Sequence, residues 1–166
     1  MTGEGEPPTM FETVVIATDG SASGERAVET AADLAERFGA EVHALYVVDE
    51  SKVDALPEDL HEEVSEALTD QGAAALEAVE AAVSGPVTAV VREGRPAREI
   101  PAYAREVGAD VVATGTRGRG GEHSFLLGSV AEAVVRSCPV PVLTVRQLER
   151  QEGPPDAARA ADAAQA

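Results

Sequence analysis

The chain of 166 residues carries 30 acidic and 13 basic side chains, giving a formal net charge of −17, and 44% of its residues are hydrophobic. This balance disfavours nucleic acids and anionic membranes as partners, because both attract cationic surfaces. No apolar run is long enough to cross a bilayer, and residues 1–10 lack the basic and apolar segments of a secretion signal. Cys138 is the sole cysteine, which excludes an intramolecular disulfide and a thiolate zinc cluster. We therefore expect a cytoplasmic globular protein.

The charged residues also indicate the solvent conditions. Lys52 is the single lysine among the 13 basic residues. A surface so rich in carboxylates holds water and cations in concentrated salt and repels itself in dilute salt. We therefore expect a protein from a salt-adapted (halophilic) organism; an ordinary acidic bacterial protein is the alternative. Residues 1–10 and the Ala-rich acidic residues 147–166 carry too few large apolar side chains to fold, which leaves one domain at residues 11–146.

Within that domain, short β-branched runs alternate with longer amphipathic stretches. The five predicted strands are residues 13–18, 41–48, 87–92, 111–114 and 140–145. The four predicted helices are residues 25–38, a long helix with an apolar stripe from Leu60 to Val83 and Pro57 in its first turn, residues 97–107 and residues 129–137. Strict alternation of strand and helix is typical of an α/β fold in which helices cover both faces of an open parallel sheet.

Two prolines qualify this pattern. Pro101 lies about five residues into the third helix, where it removes a backbone hydrogen bond and should distort the first turns. Pro141 lies inside the last predicted strand, which indicates an edge position. Proteins rarely leave a long apolar edge open. We therefore predict a homodimer that covers this edge through the apolar side chains of the last strand: Val140, Val142, Leu143 and Val145.

The candidate binding site lies where two strands end. Ligands of open parallel sheets bind beyond the carboxyl ends of strands, where the strand order reverses. The first strand runs into Thr18 and Asp19, and the fourth runs into a glycine-rich loop with the spacing Gly115-x2-Gly118-x9-Gly128-Ser129. Glycines let backbone amides approach a ligand, and a helix N-terminus adds unpaired N–H groups that suit phosphate. Residues 115–146 also hold four arginines against two acids. This combination predicts a polyphosphate ligand.

Five motifs carry a family resemblance. They are, in chain order, IATDGS, LYVVDE, EGRPAREI, GADVVATGTRGRGG and FLLGSVAEAVVRSCPVPVLTVR. Together they span most of residues 11–146 and resemble the nucleotide-binding branch of the universal stress protein family. The resemblance implies a Rossmann-like sheet of order 3-2-1-4-5, with ATP at the switch point between the first and fourth strands. A divalent ion, Mg²⁺ or Mn²⁺, usually accompanies the triphosphate in such proteins.

The resemblance also implies roles for individual residues. It places Asp19, with its neighbour Thr18, near the adenosine, and the backbone of Val47 against the adenine. It places Gly115 and Gly118 beside the ribose and phosphates. It places Gly128, Ser129 and the Val130 amide against the phosphates, at the start of the last helix.

Each of these residues also has a plainer interpretation. Asp19 could cap the following turn, and the glycines could serve backbone geometry alone. Ser129 could be the N-cap of a capping box, with its hydroxyl on the Glu132 amide. Arg117, like Arg119, could neutralise phosphate or simply be solvated.

Three functions remain open from the sequence. The first is an ATP-binding stress-response module, in which occupancy orders the glycine loop and changes the surface that partners meet. The second is a slow ATPase in which His123 or Asp19 positions water. The third is an interaction dimer without nucleotide. The absence of a lysine before Ser129 and of an evident base favours binding over turnover.

Overall fold

Five parallel strands form a single sheet in the order β3-β2-β1-β4-β5. The structure is a computed structural model that describes residues 10–116 and 127–146. The strands are β1 (Thr13–Ala17), β2 (Glu41–Asp49), β3 (Val87–Gly94), β4 (Val111–Gly115) and β5 (Val142–Val145). The predicted α/β class and the strand order implied by the resemblance are confirmed.

Helices cover both faces of the sheet because the central strands are apolar on both sides. The helices are α1 (Ala22–Phe38), α2 (Glu50–Asp54), α3 (His61–Ala82), α4 (Pro96–Glu106) and α5 (Ser129–Ser137). Val14 and Ile16 of β1 pack with α1 and α3, whereas the alternate residue Val15 packs with α4 and α5. Successive side chains of a strand point to opposite faces, so one buried strand contributes to two cores.

The segment after β2 differs from the prediction. The short helix α2 follows β2 directly, because the Asp49 carboxylate caps it by accepting the Ser51 N–H at 3.1 Å. Pro57 then precedes a single 3₁₀ turn, Glu58–Leu60, and the long helix α3 begins only at His61. The expectation that Pro57 lies in the first turn of the long helix is therefore wrong. With ψ at 144°, Pro57 is extended and stands outside that helix.

The two other prolines have different outcomes: the first turn of the helix that contains Pro101 is altered, whereas Pro141 does not lie in the last strand. Helix α4 runs unbroken through the buried Pro101. Its first turn is tightened, because the N–H groups of Arg98 and Glu99 both donate to the Arg95 carbonyl, each at 2.9 Å. Pro141 precedes β5 rather than lying inside it, and its carbonyl accepts the Val112 N–H at 3.0 Å. The predicted edge position of the last strand is nevertheless confirmed.

Candidate functional site

A cleft of about 480 Å³ opens at the carboxyl ends of β1, β2 and β4. Its volume is in the range of small-molecule sites, about 300–1,000 Å³. The predicted site residues that the structure describes all line this cleft: Thr18, Asp19, Val47, Gly115, Gly128, Ser129 and Val130. Arg117 and Gly118 lie outside the described residues, as do Arg119 and His123. Residues from four separate stretches of sequence are thus brought together at the switch point of the sheet.

Asp19 caps the turn after β1, as its plainer interpretation predicted, and it also lines the cleft. One carboxylate oxygen, Oδ1, accepts the Ser21 N–H at 2.9 Å, and the Thr18 hydroxyl accepts the Gly20 N–H at 3.2 Å. The Thr18 N–H donates to the Leu45 carbonyl at 3.0 Å, which extends the pairing of β1 with β2 past the end of β1. The turn after β1 is therefore fixed by its own side chains, and both interpretations of Asp19 are compatible.

Gly115 is required by backbone packing at the end of β4. A Cβ atom there would lie 2.9 Å from the carbonyl oxygen and 3.2 Å from the carbonyl carbon of Ser23, in the first turn of α1. Real Cβ atoms do not approach backbone so closely. The missing side chain thus lets β4 end directly against α1, and this contact forms one wall of the cleft.

Helix α5 begins differently from the predicted capping box. Gly128 is the N-cap, with φ −62° and ψ 160°, and Ser129 is already the first helical residue. The Glu132 N–H donates to the Gly128 carbonyl at 2.9 Å, so it is not held by the Ser129 hydroxyl. The Glu132 carboxylate pairs with Arg136 at 2.8 Å. The capping box is therefore wrong, because the extended residue that precedes the helix is Gly128.

This start of α5 gives the cleft its donors. The first amides of an α-helix have no acceptor within the helix, and they carry partial positive charge. Three such residues, Ser129, Val130 and Ala131, line the cleft. The Gly128 N–H is instead engaged by the Thr116 carbonyl at 2.7 Å. The arrangement suits an anionic group at the amides of residues 129–131.

The opposite wall contains residues that the sequence did not identify. Tyr46, Lys52, Leu68 and Gln71 line the cleft from β2, α2 and α3. Gly72 admits the Tyr46 ring against α3, since a Cβ there would lie 2.4 Å from a ring carbon. The strand order alone could have indicated these residues, because β2 adjoins β1 and the segment after β2 must therefore border the same cleft.

Comparison with known proteins decides the family. A sequence model of the universal stress protein family matches residues 10–146. The chain belongs to the universal stress protein family. A universal stress protein of Methanocaldococcus jannaschii is 38% identical over 146 residues, which are 86% of this chain and 86% of that protein.

Solved structures of the family share the fold. UspA from Lactobacillus plantarum is 26% identical with a TM-score of 0.70, and the match covers 82% of this chain and 98% of that one. A universal stress protein solved in complex with cAMP is 27% identical with a TM-score of 0.57, covering 83% of this chain and 98% of that one.

In this universal stress protein the main electrostatic cluster lies away from the cleft. The Arg92 guanidinium lies 4.9 Å from the centre of the Tyr103 ring and pairs with Glu106, and more loosely with Glu99 at 3.8 Å. The hydrogen bond from Arg92 lowers the pKa of Glu106, and burial raises the pKa of Tyr103. The Tyr103 hydroxyl is 2.8 Å from Nδ1 of His43. These contacts tie α4 to β2 and β3.

The described part of the chain contains neither a side-chain metal cluster nor a membrane-spanning helix. No group of three or more His, Cys, Asp or Glu side chains there could hold a metal ion. His43 contacts Tyr103, and Nε2 of His61 lies 2.7 Å from the Leu56 carbonyl oxygen. Among residues 10–116 and 127–146, no helix combines the length and apolar character that a bilayer span needs.

Proposed function

We propose that this universal stress protein is a cytoplasmic binding module for an adenine nucleotide, with ATP as its ligand. The observation that carries the proposal is that the predicted residues Asp19, Val47 and Ser129 converge on one cleft at the switch point. They come from the turn after β1, from β2 and from α5. The cAMP complex of a relative supports the same ligand class. In this proposal, binding rather than turnover is the activity that serves the stress response.

The cleft suggests how the nucleotide is oriented. Val47 lies at the β2 side, where apolar neighbours such as Leu45 and Ile100 would accommodate a base. The amides of residues 129–131 lie at the α5 side and would receive the phosphates. Gly115 stands between these two ends on β4, beside β1. This orientation agrees with the roles that the family resemblance implies.

A divalent ion would depend on the nucleotide. Mg²⁺ is commonly bound by one or two carboxylates together with substrate phosphates rather than by an all-protein cage. Asp19 and Asp49 line the cleft, and the described residues form no three-ligand cluster. Such donors fit an ion that arrives with the phosphates and offsets their charge.

The assembly belongs to the proposal as well. We place a homodimer interface at β5, because this strand forms an edge of the sheet with Val142 and Leu143 only half-buried. Val140 precedes the strand and is also half-buried, whereas Val145 at its end is buried. The formal charge of −17 supports function in concentrated salt, where repulsion between copies is screened.

The Gly128→Asp substitution tests nucleotide binding. Asp is a favoured N-cap residue, and the φ of −62° at Gly128 accepts any side chain, so the fold should be retained. A carboxylate at this position repels phosphate, and we expect the ATP dissociation constant to rise at least about a hundredfold. Calorimetric titration of Mg²⁺-ATP and of AMP in molar KCl measures this, with thermal unfolding as the check on folding.

Gly128→Ser is the matched comparison, because it caps the same amides without adding charge and should therefore weaken ATP binding much less than Gly128→Asp does. Nucleotide released from the purified protein by denaturation provides an independent readout. If folded parent protein gives no heat with either nucleotide, or if Gly128→Asp binds as tightly as Gly128→Ser, the proposed site is wrong.

A further inference from the structure

The single lysine of the sequence lines the nucleotide cleft. Lys52 lies in α2, three residues after Asp49, which also lines the cleft and whose carboxylate accepts the N–H and hydroxyl of Ser51 at 3.1 and 2.6 Å. Within residues 10–116 and 127–146, the Lys52 side chain has no ion pair or hydrogen bond. In a chain with 30 acidic residues, an ammonium group without a carboxylate partner at the mouth of a cleft is available to a ligand.

The position of α2 identifies the end of the cleft that Lys52 serves. Helix α2 packs against α3 and β3, whereas α5 packs against α4 and β5. Strands β2 and β4 lie on opposite sides of β1. Because neighbouring strands are about 4.8 Å apart, the two sides of the cleft are separated by roughly 10 Å. Lys52 therefore borders the Val47 side, opposite the helix amides of residues 129–131.

We infer that Lys52 contacts the base and ribose of the bound nucleotide, an inference that rests on the proposed function. An ammonium group has donors only. It is therefore complementary to the ring nitrogens of a purine and the hydroxyl oxygens of a ribose. Lys52 is also the one cation among the described cleft-lining side chains, which include the carboxylates of Asp19 and Asp49. Its charge thus offsets part of the repulsion that an anionic ligand meets there.

Protection from acylation tests the contact directly. Because the sequence has one lysine, amine acylation read by peptide mass spectrometry reports on Lys52 among the side chains. Arg37→Lys adds a reference lysine on the exposed part of α1, outside the cleft lining. At ten times the dissociation constant, ATP or AMP should slow acylation of Lys52 about tenfold and leave the reference lysine unchanged. Inorganic tripolyphosphate, which lacks a base and a ribose, should not protect Lys52.

Binding by variants supplies the second readout. Lys52→Ala should raise the dissociation constant for ATP about tenfold, the usual cost of losing one charged hydrogen bond. Lys52→Arg, which retains the charge and donors, should recover most of the affinity. Arg105→Ala is the matched control, because it removes an exposed positive charge of α4 that does not line the cleft, and it should bind like the parent protein.

The outcomes separate this inference from the proposed function. If calorimetry detects binding but Lys52 is acylated equally fast with and without AMP, the inference fails and nucleotide binding stands. If tripolyphosphate protects as well as AMP, or if Arg105→Ala weakens binding as much as Lys52→Ala, the base-and-ribose contact is overturned. If the parent protein binds neither ATP nor AMP, both fail.

Discussion

Gly115 and Gly24 face each other where β4 ends and α1 begins, yet a side chain would meet different surroundings at each. A Cβ at Gly115 would lie 2.9 Å from the Ser23 carbonyl oxygen, whereas one at Gly24 would meet only side-chain oxygens at 3.7–3.8 Å. We expect Gly115→Ala to lower the free energy of unfolding by about 1–3 kcal/mol, through overpacking. Gly24→Ala should raise it by up to about 1 kcal/mol, through helix propensity. Urea unfolding at fixed salt measures both; equal effects from the two substitutions would contradict the packing argument.

The glycine spacing predicted the location of the cleft better than the role of each residue. Gly115 is needed for packing, and the Gly128 N–H is engaged by Thr116. The sequence identified residues that follow β1 and β4, because turn chemistry and glycines mark them locally. It did not identify Lys52 or Gln71, because their place at the cleft depends on how α2 and α3 fold back over the end of β2.

Element type was predictable here, and element boundaries were less so. The interior strands appear in the sequence as continuous apolar runs because both faces of the sheet are covered. Between β2 and α3, the short helix α2 with its Asp49 cap was not predicted, and the extended Pro57 was wrongly placed in the long helix. These boundaries depend on single hydrogen bonds and single ψ angles, and neither can be predicted from the spacing of hydrophobic residues.

The start of α5 provides a test of one such boundary. Since Ser129 is the first helical residue and Gly128 the N-cap, Ser129→Ala should change the free energy of unfolding by less than about 0.5 kcal/mol. Gly128→Ala should cost about 0.5–1 kcal/mol, because alanine is a poor N-cap. Chemical unfolding of nucleotide-free protein provides the comparison. A larger loss in Ser129→Ala than in Gly128→Ala would restore the capping box.

At the scale of the whole molecule, the proposed ligand and the protein carry charge of the same sign. The nucleotide of the proposed function would approach a chain of formal charge −17, and at 0.1 M ionic strength salt largely screens their repulsion at distances beyond about 10 Å. Short-range attraction must then come from a few local groups. The described groups of this kind at the cleft are the helix amides of residues 129–131 and the Lys52 ammonium. Binding measured in concentrated salt therefore isolates the local site from the charge of the molecule.

The same screening would allow two copies to meet at β5 in the proposed homodimer, and the register of that strand shows how to block such contact. Val112 donates to the Pro141 carbonyl, so by the parallel pattern the N–H groups of Val142 and Thr144 point away from β4. Proline is tolerated on an edge strand when the N–H it replaces faces outward. Thr144→Pro should therefore give a folded monomer, because an added strand would lose a hydrogen bond. Thr144→Val, which keeps the N–H, should remain dimeric.

Sedimentation at micromolar concentrations in molar KCl distinguishes these states, with thermal unfolding to confirm that each variant is folded. A parent protein that sediments as a monomer would remove the dimer from the proposal. A Thr144→Pro variant that remains dimeric would show instead that copies associate through another surface, since the outward N–H of Thr144 would then be dispensable. The proposed edge-strand interface thus depends on one backbone N–H group, and the substitution removes that group while leaving the hydrogen bonds between β4 and β5 intact.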